Sequence, residues 1–324
     1  MKKVLAINSG SSSFKFKLFS LPDEKVVAFG MADRVGLPGA SFKIALQDGN
    51  EHIEHVEVPD QEAAVSLLLK ALKKYHVVED LNEIVGVGHR VVSGGEIFKD
   101  STVVDQEVLQ KIKDLSNFAP LHNPAEARGI EAFMHVLPKV PQVAVFDTSF
   151  HQTLDPVHYL YSIPYDYYKE YGARKYGAHG TSVHYVTLEA AKMMKKDLKD
   201  LKLITCHLGS GSSITAVKNG KSYDTSMGFS PRSGITMGTR SGDIDPSLLQ
   251  HLMHETGISM NEMINILNKK SGLLGISGIS SDMRDLKYNK NPRAVLARKI
   301  FLNRIVRYIG AYIAEMGGVD GIVL

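Results

Sequence analysis

Two polar turns in this sequence have the composition that a phosphate-binding site requires. The first, residues 8–13 (NSGSSS), follows an apolar run and leads into a strictly alternating one. Its hydroxyl groups, its backbone N–H groups and its glycine would let a phosphate approach closely. A Walker A loop would instead pass from a strand into a helix and end in Gly-Lys-Ser or Gly-Lys-Thr. We therefore predict a β-hairpin whose turn cradles a phosphate, with an ordinary polar hairpin as the alternative.

The second turn, residues 209–213 (GSGSS), has the same setting. It lies between the apolar runs 203–208 and 214–217, and residues 219–220 (NG) then provide a hairpin turn to a further strand. Two strand–turn–strand units of this kind indicate an internal duplication. Two such loops can hold one polyphosphate from both sides of a cleft, which a single hairpin cannot do. The repeat therefore favours phosphate binding over the ordinary hairpin.

The elements around the first turn predict an α/β domain over residues 1–150. Residues 26–58 alternate between polar and apolar side chains and predict further antiparallel strands, and Asp60 is placed to cap a helix. Short apolar runs at 84–88 and 142–146 predict two buried strands, and polar residues follow directly after each of them. Strands that alternate with helices and short loops are typical of an α/β domain.

Two later segments carry the pattern of a capping box. In residues 123–126 (NPAE) we expect Asn123 to be the N-cap of a helix, with a proline in its first turn and Glu126 reaching back. Ser259 and Glu262 show the same spacing before another helical pattern. Each pattern predicts a helix start.

The remaining residues, 151–324, predict a second domain that contains the second polar turn. Its first part, 151–180, is rich in tyrosine and irregular, which could provide a stacking platform for bases. Because no basic groove surrounds it, we favour a loop that faces another domain or subunit. A long helix is predicted up to Met316, and residues 319–324 begin a strand in which the sequence stops. We expect the second domain to continue beyond residue 324, so that this chain is truncated at its C-terminal end.

Composition excludes several classes of protein. The 324 residues are 44% hydrophobic and 23% charged, which is ordinary for globular domains, and the net charge of +3 gives no argument for binding nucleic acid. The single cysteine, Cys206, excludes an intramolecular disulfide and fits a reducing compartment. The first residues lack the pattern of a signal peptide, and no apolar run is long enough to cross a membrane. We predict a soluble cytoplasmic protein without nucleic-acid or membrane partners.

Seven motifs, in order along the whole chain, resemble those of acetate kinases, the acetokinase branch of the actin/hexokinase/Hsp70 superfamily. They lie at residues 8–13 (NSGSSS), 88–96 (GHRVVSGGE), 146–148 (FDT), 179–182 (HGTS), 207–209 (HLG), 237–243 (MGTRSGD) and 280–282 (SSD). The resemblance implies an α/β fold of two duplicated ribonuclease H-like (actin-like ATPase) domains with a nucleotide cleft between them. It also implies a homodimer that transfers a phosphoryl group reversibly between ATP and acetate.

The resemblance also implies roles for individual residues. Arg90 and Arg240 would hold the acetate carboxylate and the transferring phosphoryl group, and His179 would donate to its equatorial oxygens. The family treats Asp147 as catalytic, although acetate is already ionised at neutral pH, so we expect Asp147 to orient an arginine or a magnesium-bound water rather than donate a proton. Asn8 matches the position of a ligand to Mg²⁺, or to Mn²⁺ in its place, and a second, acidic ligand is expected beyond residue 324.

Further positions match the nucleotide and methyl sites of the family. The expected nucleotide-binding residues are Ser11, Ser13, Lys15, His207, Leu208, Gly209, Ser210, Gly211, Asp282, Met283 and Arg284. The expected wall of the pocket for the acetate methyl group is Val92, Leu121 and Pro231.

The chain departs from the family pattern beside the expected site. Ala178 stands where phenylalanine is common, which would leave room for a longer acid unless a neighbouring tyrosine fills the gap. Ser210 stands where asparagine is usual, and its hydroxyl can still donate with a shorter reach. The nearest alternative function is therefore a propionate or butyrate kinase on the same fold. A more distant alternative is an actin-like interaction protein switched by ATP.

Overall fold

The computed structural model describes residues 1–120 and 122–324 and divides them into two compact units, Met1–Ser149 and Phe150–Leu324. Each unit contains one β-sheet with helices packed against it. The domain boundary predicted from the sequence lies after residue 150.

The first unit is organised around a mixed sheet of eight strands. Strands β1 and β2 form the predicted hairpin, in which Lys3 pairs with Ser20 and Ser9 with Phe14. The sheet order is β5-β4-β3-β2-β1-β6-β8-β7; β1, β6 and β8 run parallel and the other pairs run antiparallel. The strands are β1 (Lys3–Ser9), β2 (Ser13–Ser20), β3 (Val26–Asp33), β4 (Ser41–Leu46), β5 (Glu51–His55), β6 (Ile84–Val91), β7 (Thr102–Val103) and β8 (Gln142–Phe146).

The described residues of the first unit form three α-helices: α1 (Gln61–Lys74), α2 (Gln106–Asp114) and α3 (Asn123–Val136). Helix α1 begins as predicted, since the Asp60 side chain accepts a hydrogen bond from Ala63 N at 2.8 Å. The alternating residues of the hairpin place Phe14 and Phe16 in the core, where α1 and α3 cover them. Burying such rings contributes roughly 2–3 kcal/mol each.

The predicted capping box at the start of α3 is wrong. The N-cap position is His122, and its side chain makes no capping hydrogen bond. Asn123 is fully buried, and its side chain bonds the backbone of Ser93 instead. Glu126 bonds the backbone N–H of Val92. Both side chains therefore make tertiary contacts in place of local ones.

The second unit contains a four-stranded sheet in the order β11-β10-β9-β12. Its strands are β9 (Lys202–Leu208), β10 (Ser212–Lys218), β11 (Lys221–Thr225) and β12 (Gly321–Val323). Its helices are α4 (Pro156–Tyr159), α5 (Asp166–Tyr171), α6 (Gly180–Met194), α7 (Pro246–Thr256), α8 (Met260–Lys269), α9 (Gly272–Ser277), α10 (Met283–Leu286) and α11 (Pro292–Met316). The tyrosine-rich segment is thus less irregular than predicted, because α4 and α5 lie within it.

The two sheets share a topology, which supports the predicted duplication. In the first unit, an antiparallel β1–β2 hairpin extends to β3 on one side and to the parallel strand β6 on the other. In the second unit, β9 and β10 form the hairpin, β11 extends it, and β12 is the parallel neighbour of β9. The two polar turns therefore occupy equivalent places.

None of the helices in the described residues is long and apolar enough to cross a lipid bilayer.

Candidate active site

A buried carboxylate holds an arginine at the end of the parallel strands of the first unit. Arg90 lies near the end of β6, and Asp147 directly follows the neighbouring strand β8. Arg90 Nη2 donates to Asp147 Oδ2 at 2.6 Å, and Nε lies 3.1 Å from each carboxylate oxygen. The Asp147 side chain is 4% exposed, whereas that of Arg90 is 38% exposed. The aspartate therefore fixes a cation that still reaches solvent.

The Arg90 guanidinium stays protonated beside Asp147. Burial lowers the pKa of the Arg90 guanidinium, but the hydrogen bonds and the charge of Asp147 outweigh burial, and the net shift is upward. Because an arginine is already protonated at any physiological pH, the pair with Asp147 serves orientation rather than proton transfer.

The first polar turn lies next to this pair. Gly10 N donates to Ser13 O at 2.7 Å, which closes the hairpin turn, while Ser11 is exposed and Ser13 is half-buried. Asn8 and Lys15 are directly opposite each other on β1 and β2, so their side chains share one face of the sheet. A groove of about 470 Å³ runs along this face and is lined by Asn8, Lys15, Lys17, Phe29, Met31 and Lys43, among others.

Asn8 is suited to hold a divalent cation beside a polyphosphate. Its amide oxygen is a hard ligand of the kind that Mg²⁺ accepts, and it lies 3.5 Å from Arg90 Nη1, at the outer limit of a hydrogen bond. Asp147 is less suited, because Arg90 contacts both of its oxygens. Since Mg²⁺ keeps several waters and takes phosphate oxygens, one or two protein ligands are enough.

A separate group of potential metal ligands lies elsewhere in the second unit. Ligand atoms of His158, Asp224 and Glu315 come within 4.8 Å of one another. Lys175 Nζ contacts Asp224 Oδ1, so an ammonium group already balances one of the two carboxylates. We assign no metal to this group.

The second polar turn is flanked by two stacked histidines. His179 immediately precedes α6, and its Nδ1 lies 2.9 Å from Ser213 Oγ at the start of β10. Its ring stacks on that of His207 with centroids 4.0 Å apart, and His207 Nδ1 lies 3.0 Å from Ser182 Oγ. His179 has a φ of 63°, which non-glycine residues adopt at a cost of about 1–3 kcal/mol and which clusters at functional sites. The surrounding contacts hold the ring in one orientation.

Arg240 and His179 converge on Gly211. A Cβ atom placed on Gly211 would lie 3.3 Å from Arg240 Nη1 and 3.6 Å from His179 Nε2. Arg240 Nη1 also donates to the carbonyl oxygen of Pro231 at 2.9 Å. The missing side chain at Gly211 thus leaves room for a guanidinium and an imidazole above the backbone of the polar turn. An anionic group bound at the turn would lie beside both the Arg240 guanidinium and the His179 imidazole.

The loop around Asp282 lies close to the same turn. Gly238 N donates to Ser210 O at 3.0 Å, and a Cβ on Gly238 would lie 3.0 Å from Ser281 O. Asp282 caps α10 and pairs with the Arg284 guanidinium, which holds the pKa of the Asp282 carboxyl well below its usual range. The structure thus brings Ser210 and the loop before α10 together around Gly238.

The residues expected to surround a methyl group lie in different units. Val92 is buried next to Arg90, whereas Pro231 is bonded to Arg240. Leu121 falls outside the described residues. Ala178 is buried in a small apolar cluster with Met227 and Met237, two flexible side chains.

Sequence reasoning missed the side chains that hold the segment after Arg90. Val92 N donates to Glu126 Oε2 at 2.9 Å, Ser93 N to Asn123 Oδ1 at 3.1 Å and Gly94 N to Thr148 Oγ1 at 3.0 Å. Burial raises the pKa of the Glu126 carboxyl to about 8, and the Val92 N–H group and Arg90 only partly offset this shift. The NPAE motif is the available sequence signal for these contacts, but its spacing predicts a local helix cap instead.

Sequence reasoning also missed Arg232, which adjoins Pro231. Its Nη1 is buried without a hydrogen-bond partner among the described residues, and burial lowers the pKa of its guanidinium. Buried donors of this kind are normally satisfied, so an anion bound here would find a further cation.

Comparison with known proteins identifies relatives along the whole chain. The model of the acetokinase family matches residues 3–324. The acetate kinase of Limosilactobacillus fermentum is 55% identical over all of this chain, which covers 82% of that protein. The crystal structure of Porphyromonas gingivalis acetate kinase matches with a TM-score of 0.94 at 43% identity, over 99% of this chain and 82% of that one. A propionate kinase from Francisella tularensis matches with a TM-score of 0.94 at 39% identity, over 99% and 83% of the two chains. These structures confirm the predicted fold class.

Proposed function

Because the chain belongs to the acetokinase family, we propose that it transfers the γ-phosphoryl group of ATP to acetate, giving acetyl phosphate and ADP, and catalyses the reverse reaction. The observation that carries this proposal beyond the family is the convergence of Arg240 and His179 on Gly211 in the second polar turn. Two donors on one glycine-rich turn suit a phosphoryl group in transfer.

The chemistry calls for positioning rather than for a base. A carboxylate oxygen of acetate forms the new bond to phosphorus, and the bond between the γ-phosphorus and the oxygen that bridges to the β-phosphate breaks. The electron pair leaves with ADP, and no proton needs to move, since acetate is ionised at neutral pH. The barrier comes from bringing two anions together, so cations at the reacting oxygens supply the catalysis.

In this proposal Arg90 binds the acetate carboxylate, and Asp147 orients Arg90. The half-exposed guanidinium on a buried carboxylate supports both roles, because its Nη1 lies outside the contacts made by Asp147. A bidentate partner such as Asp147 also removes the rotational freedom of the arginine, so less entropy is lost when acetate binds.

Arg240 and His179 act on the transferring phosphoryl group. Arg240 Nη1 and His179 Nε2 both lie close to Gly211, and His179 is oriented by Ser213 and by the stacked ring of His207. Donors that are fixed before the reaction stabilise developing charge without having to reorganise.

We assign the nucleotide to the two polar turns and the loop before α10. Their equivalent places in the two sheets, and the contact of Gly238 with both Ser210 and Ser281, support this assignment. The residues assigned are Ser11, Ser13, Lys15, His207, Leu208, Gly209, Ser210, Gly211, Asp282, Met283 and Arg284.

We assign Asn8 as a protein ligand of Mg²⁺, with Mn²⁺ as a substitute. When bound, the ion neutralises part of the charge on the polyphosphate. Asn8 would hold it through the amide oxygen, while the opposite residue Lys15 faces the same side of the sheet.

The pocket for the methyl group comprises Val92, Leu121 and Pro231 in this proposal. The second candidate function is a propionate kinase, which two observations favour. Ala178 presents a small side chain among two methionines, and the Francisella tularensis propionate kinase has the same fold. An acid longer by one methylene would gain about 0.8 kcal/mol if that group were buried.

The assembly and cellular location are proposed on the sequence. We propose a cytoplasmic homodimer, and the exposed tyrosines of the 151–180 segment, such as Tyr165 and Tyr171, support a surface for association. Light scattering coupled to gel filtration would give the mass of the assembly, and a monomer at assay concentration would contradict this proposal.

The proposed function is tested by acid-dependent formation of ADP. The full-length protein is assayed with ATP, Mg²⁺ and either acetate, propionate or no acid, and acyl phosphate is trapped as the hydroxamate. We expect ADP and hydroxamate in equal amounts, with acetate as the better substrate. ATP hydrolysis that does not depend on the acid would contradict the proposal and favour an ATP-switched interaction protein.

A further inference from the structure

Three successive backbone N–H groups after Arg90 are bound by side chains rather than by a neighbouring strand. They belong to Val92, Ser93 and Gly94, and their acceptors are Glu126, Asn123 and Thr148 respectively. We call these acceptors the amide clamp. All three clamp residues are at most 2% exposed. Buried N–H groups need partners, so the clamp replaces the hydrogen bonds that the segment loses where β6 ends.

The clamp arises from two places in the chain. Asn123 and Glu126 lie in the first turn of α3, and Thr148 is the neighbour of Asp147 after β8. Asn123 binds Ser93 twice, because its Nδ2 also donates to Ser93 O at 3.0 Å. Such paired amide contacts resemble those of an adjacent strand and fix the backbone in one conformation.

The segment is tied at every residue from 90 to 94. The side chain of Arg90 is bound by Asp147, and Asp147 N donates to Val91 O at 2.9 Å. The clamp then holds the next three residues. Packing leaves little space as well, since a Cβ on Gly94 would lie 3.0 Å from the ring of Phe146. Arg90 and Val92 are therefore fixed relative to each other.

We infer that the amide clamp positions Val92 against the methyl group of the acid and thereby sets both the affinity for acetate and the discrimination against longer acids. This inference rests on the proposed function, in which Arg90 binds the carboxylate and Val92 lines the methyl pocket. The clamp residues touch neither substrate nor phosphate in this account, so they are positioning residues. Glu126 matters most, because it holds Val92 itself.

The charge of Glu126 gives the clamp a second property. The charged groups that act on it are Arg90 on β6 and Asp147 after β8. While Glu126 is protonated, the Arg90 charge faces one buried carboxylate, Asp147, and can attract a second anion. Ionised Glu126 would be that second anion, in competition with the acetate carboxylate. The KM for acetate should therefore rise as the pH increases through the pKa of Glu126, about 8.

The test compares Glu126→Gln with Glu126→Met in the full-length protein. Glutamine keeps an acceptor for the Val92 N–H group but cannot ionise, whereas methionine has a similar volume and no such acceptor. Glu131→Gln and Glu131→Met are the matched controls, because Glu131 lies on the same helix and pairs with Lys113 at the surface. For each variant KM for acetate, KM for ATP, kcat and the ratio of kcat/KM for propionate to that for acetate are measured across the pH range.

We expect Glu126→Met to raise KM for acetate about tenfold, because the Val92 backbone loses its acceptor and the side chain is no longer held in place against the methyl group. KM for ATP should stay unchanged, and discrimination against propionate should weaken. Glu126→Gln should keep the KM of the parent near neutral pH and lose its increase at alkaline pH. Both Glu131 variants should behave as the parent. An unchanged KM for acetate and an unchanged acid ratio in Glu126→Met would overturn the inference.

A second pair of variants covers the case in which Glu126→Met does not fold. Thr148→Val removes the acceptor for Gly94 at nearly the same volume, and Thr148→Ser retains it. Thr148→Val should raise KM for acetate and Thr148→Ser should not, and equal values for the two would contradict the clamp. A parent protein that fails to phosphorylate any carboxylic acid would instead contradict the proposed function, so the two failures are distinguishable.

Discussion

Replacing Gly211 by alanine should damage catalysis without damaging the fold. The added methyl group would lie 3.3 Å from Arg240 Nη1 and 3.6 Å from His179 Nε2. Comfortable contact begins at about 3.5 Å, so the guanidinium must retreat by a few tenths of an ångström while the imidazole is just in contact. Arg240 Nη1 also donates to the Pro231 carbonyl oxygen at 2.9 Å, so a displacement of the guanidinium would disturb that hydrogen bond.

The magnitude follows from the role of these donors. A donor displaced by a fraction of an ångström loses part of a transition-state interaction that is worth about 3–4 kcal/mol when removed altogether. We therefore expect kcat of Gly211→Ala to fall by about 10- to 100-fold, equivalent to about 1.4–2.8 kcal/mol. The midpoint of thermal unfolding should change little, because the methyl group meets side-chain ends that can move.

The assay is steady-state kinetics of acetyl phosphate formation, with thermal unfolding measured on the same samples. Gly310→Ala is the matched control, since a Cβ on this α11 residue would meet nothing within 4 Å. Alanine should favour the helix at that position by about 1 kcal/mol and leave kcat unaltered. An unchanged kcat in Gly211→Ala would refute the convergence of Arg240 and His179 on the phosphoryl group. A higher KM for ATP with unchanged kcat would assign Gly211 to nucleotide binding alone.

Three further predictions follow from the same structure. Arg90→Ala and Arg240→Ala should each lower kcat/KM for acetate by about 100- to 1000-fold while the circular dichroism spectrum is unchanged, and near-parental values in either variant would contradict its role. In the unfolded chain the Glu126 carboxyl loses its proton above its ordinary pKa of 4.5, whereas the folded protein keeps that proton up to about pH 8. The free energy of unfolding should therefore decrease as the pH rises from about 4.5 to about 8. Glu126→Gln should reduce that slope in urea titrations at several pH values, and an identical slope in both proteins would show that other groups cause it. Ala178→Phe should lower kcat/KM for propionate relative to acetate by about fourfold, the effect of about one buried methylene, and an unaltered ratio would show that other residues wall the pocket.

The two capping-box patterns show how far local sequence determines local structure. Ser259 and Glu262 form the predicted box, and both are exposed. Asn123 and Glu126 have the corresponding spacing but are buried, and their polar atoms bind the segment after β6. At a surface the nearest partner is the helix itself, whereas in the interior a buried polar group binds whichever unsatisfied backbone lies against it. The spacing of the residues alone does not indicate whether such a pair will be exposed and cap its own helix or be buried and bind another segment.

Strands and turns were more predictable than the contacts of the site. The alternation of residues 14–18 and the Asn219-Gly220 turn determined two hairpins, because the side-chain period of a strand and the geometry of a tight turn are local properties. The convergence of Arg240 on Gly211 joins residues far apart in sequence, and no periodicity encodes it. The resemblance named most of the residues, but it did not give the stacking of His179 on His207 or the clamp around Val92.

The central claim is that a carboxylate oxygen of acetate attacks the γ-phosphorus of ATP. Acetate labelled with heavy oxygen in both carboxylate positions tests it directly, with phosphorus NMR of the acetyl phosphate formed by the full-length protein. The account predicts ADP as the other product and an isotope shift in the acetyl phosphate signal, because the oxygen bridging carbon and phosphorus comes from acetate. AMP and pyrophosphate as products, or acetyl phosphate whose phosphorus carries no labelled oxygen, would contradict it.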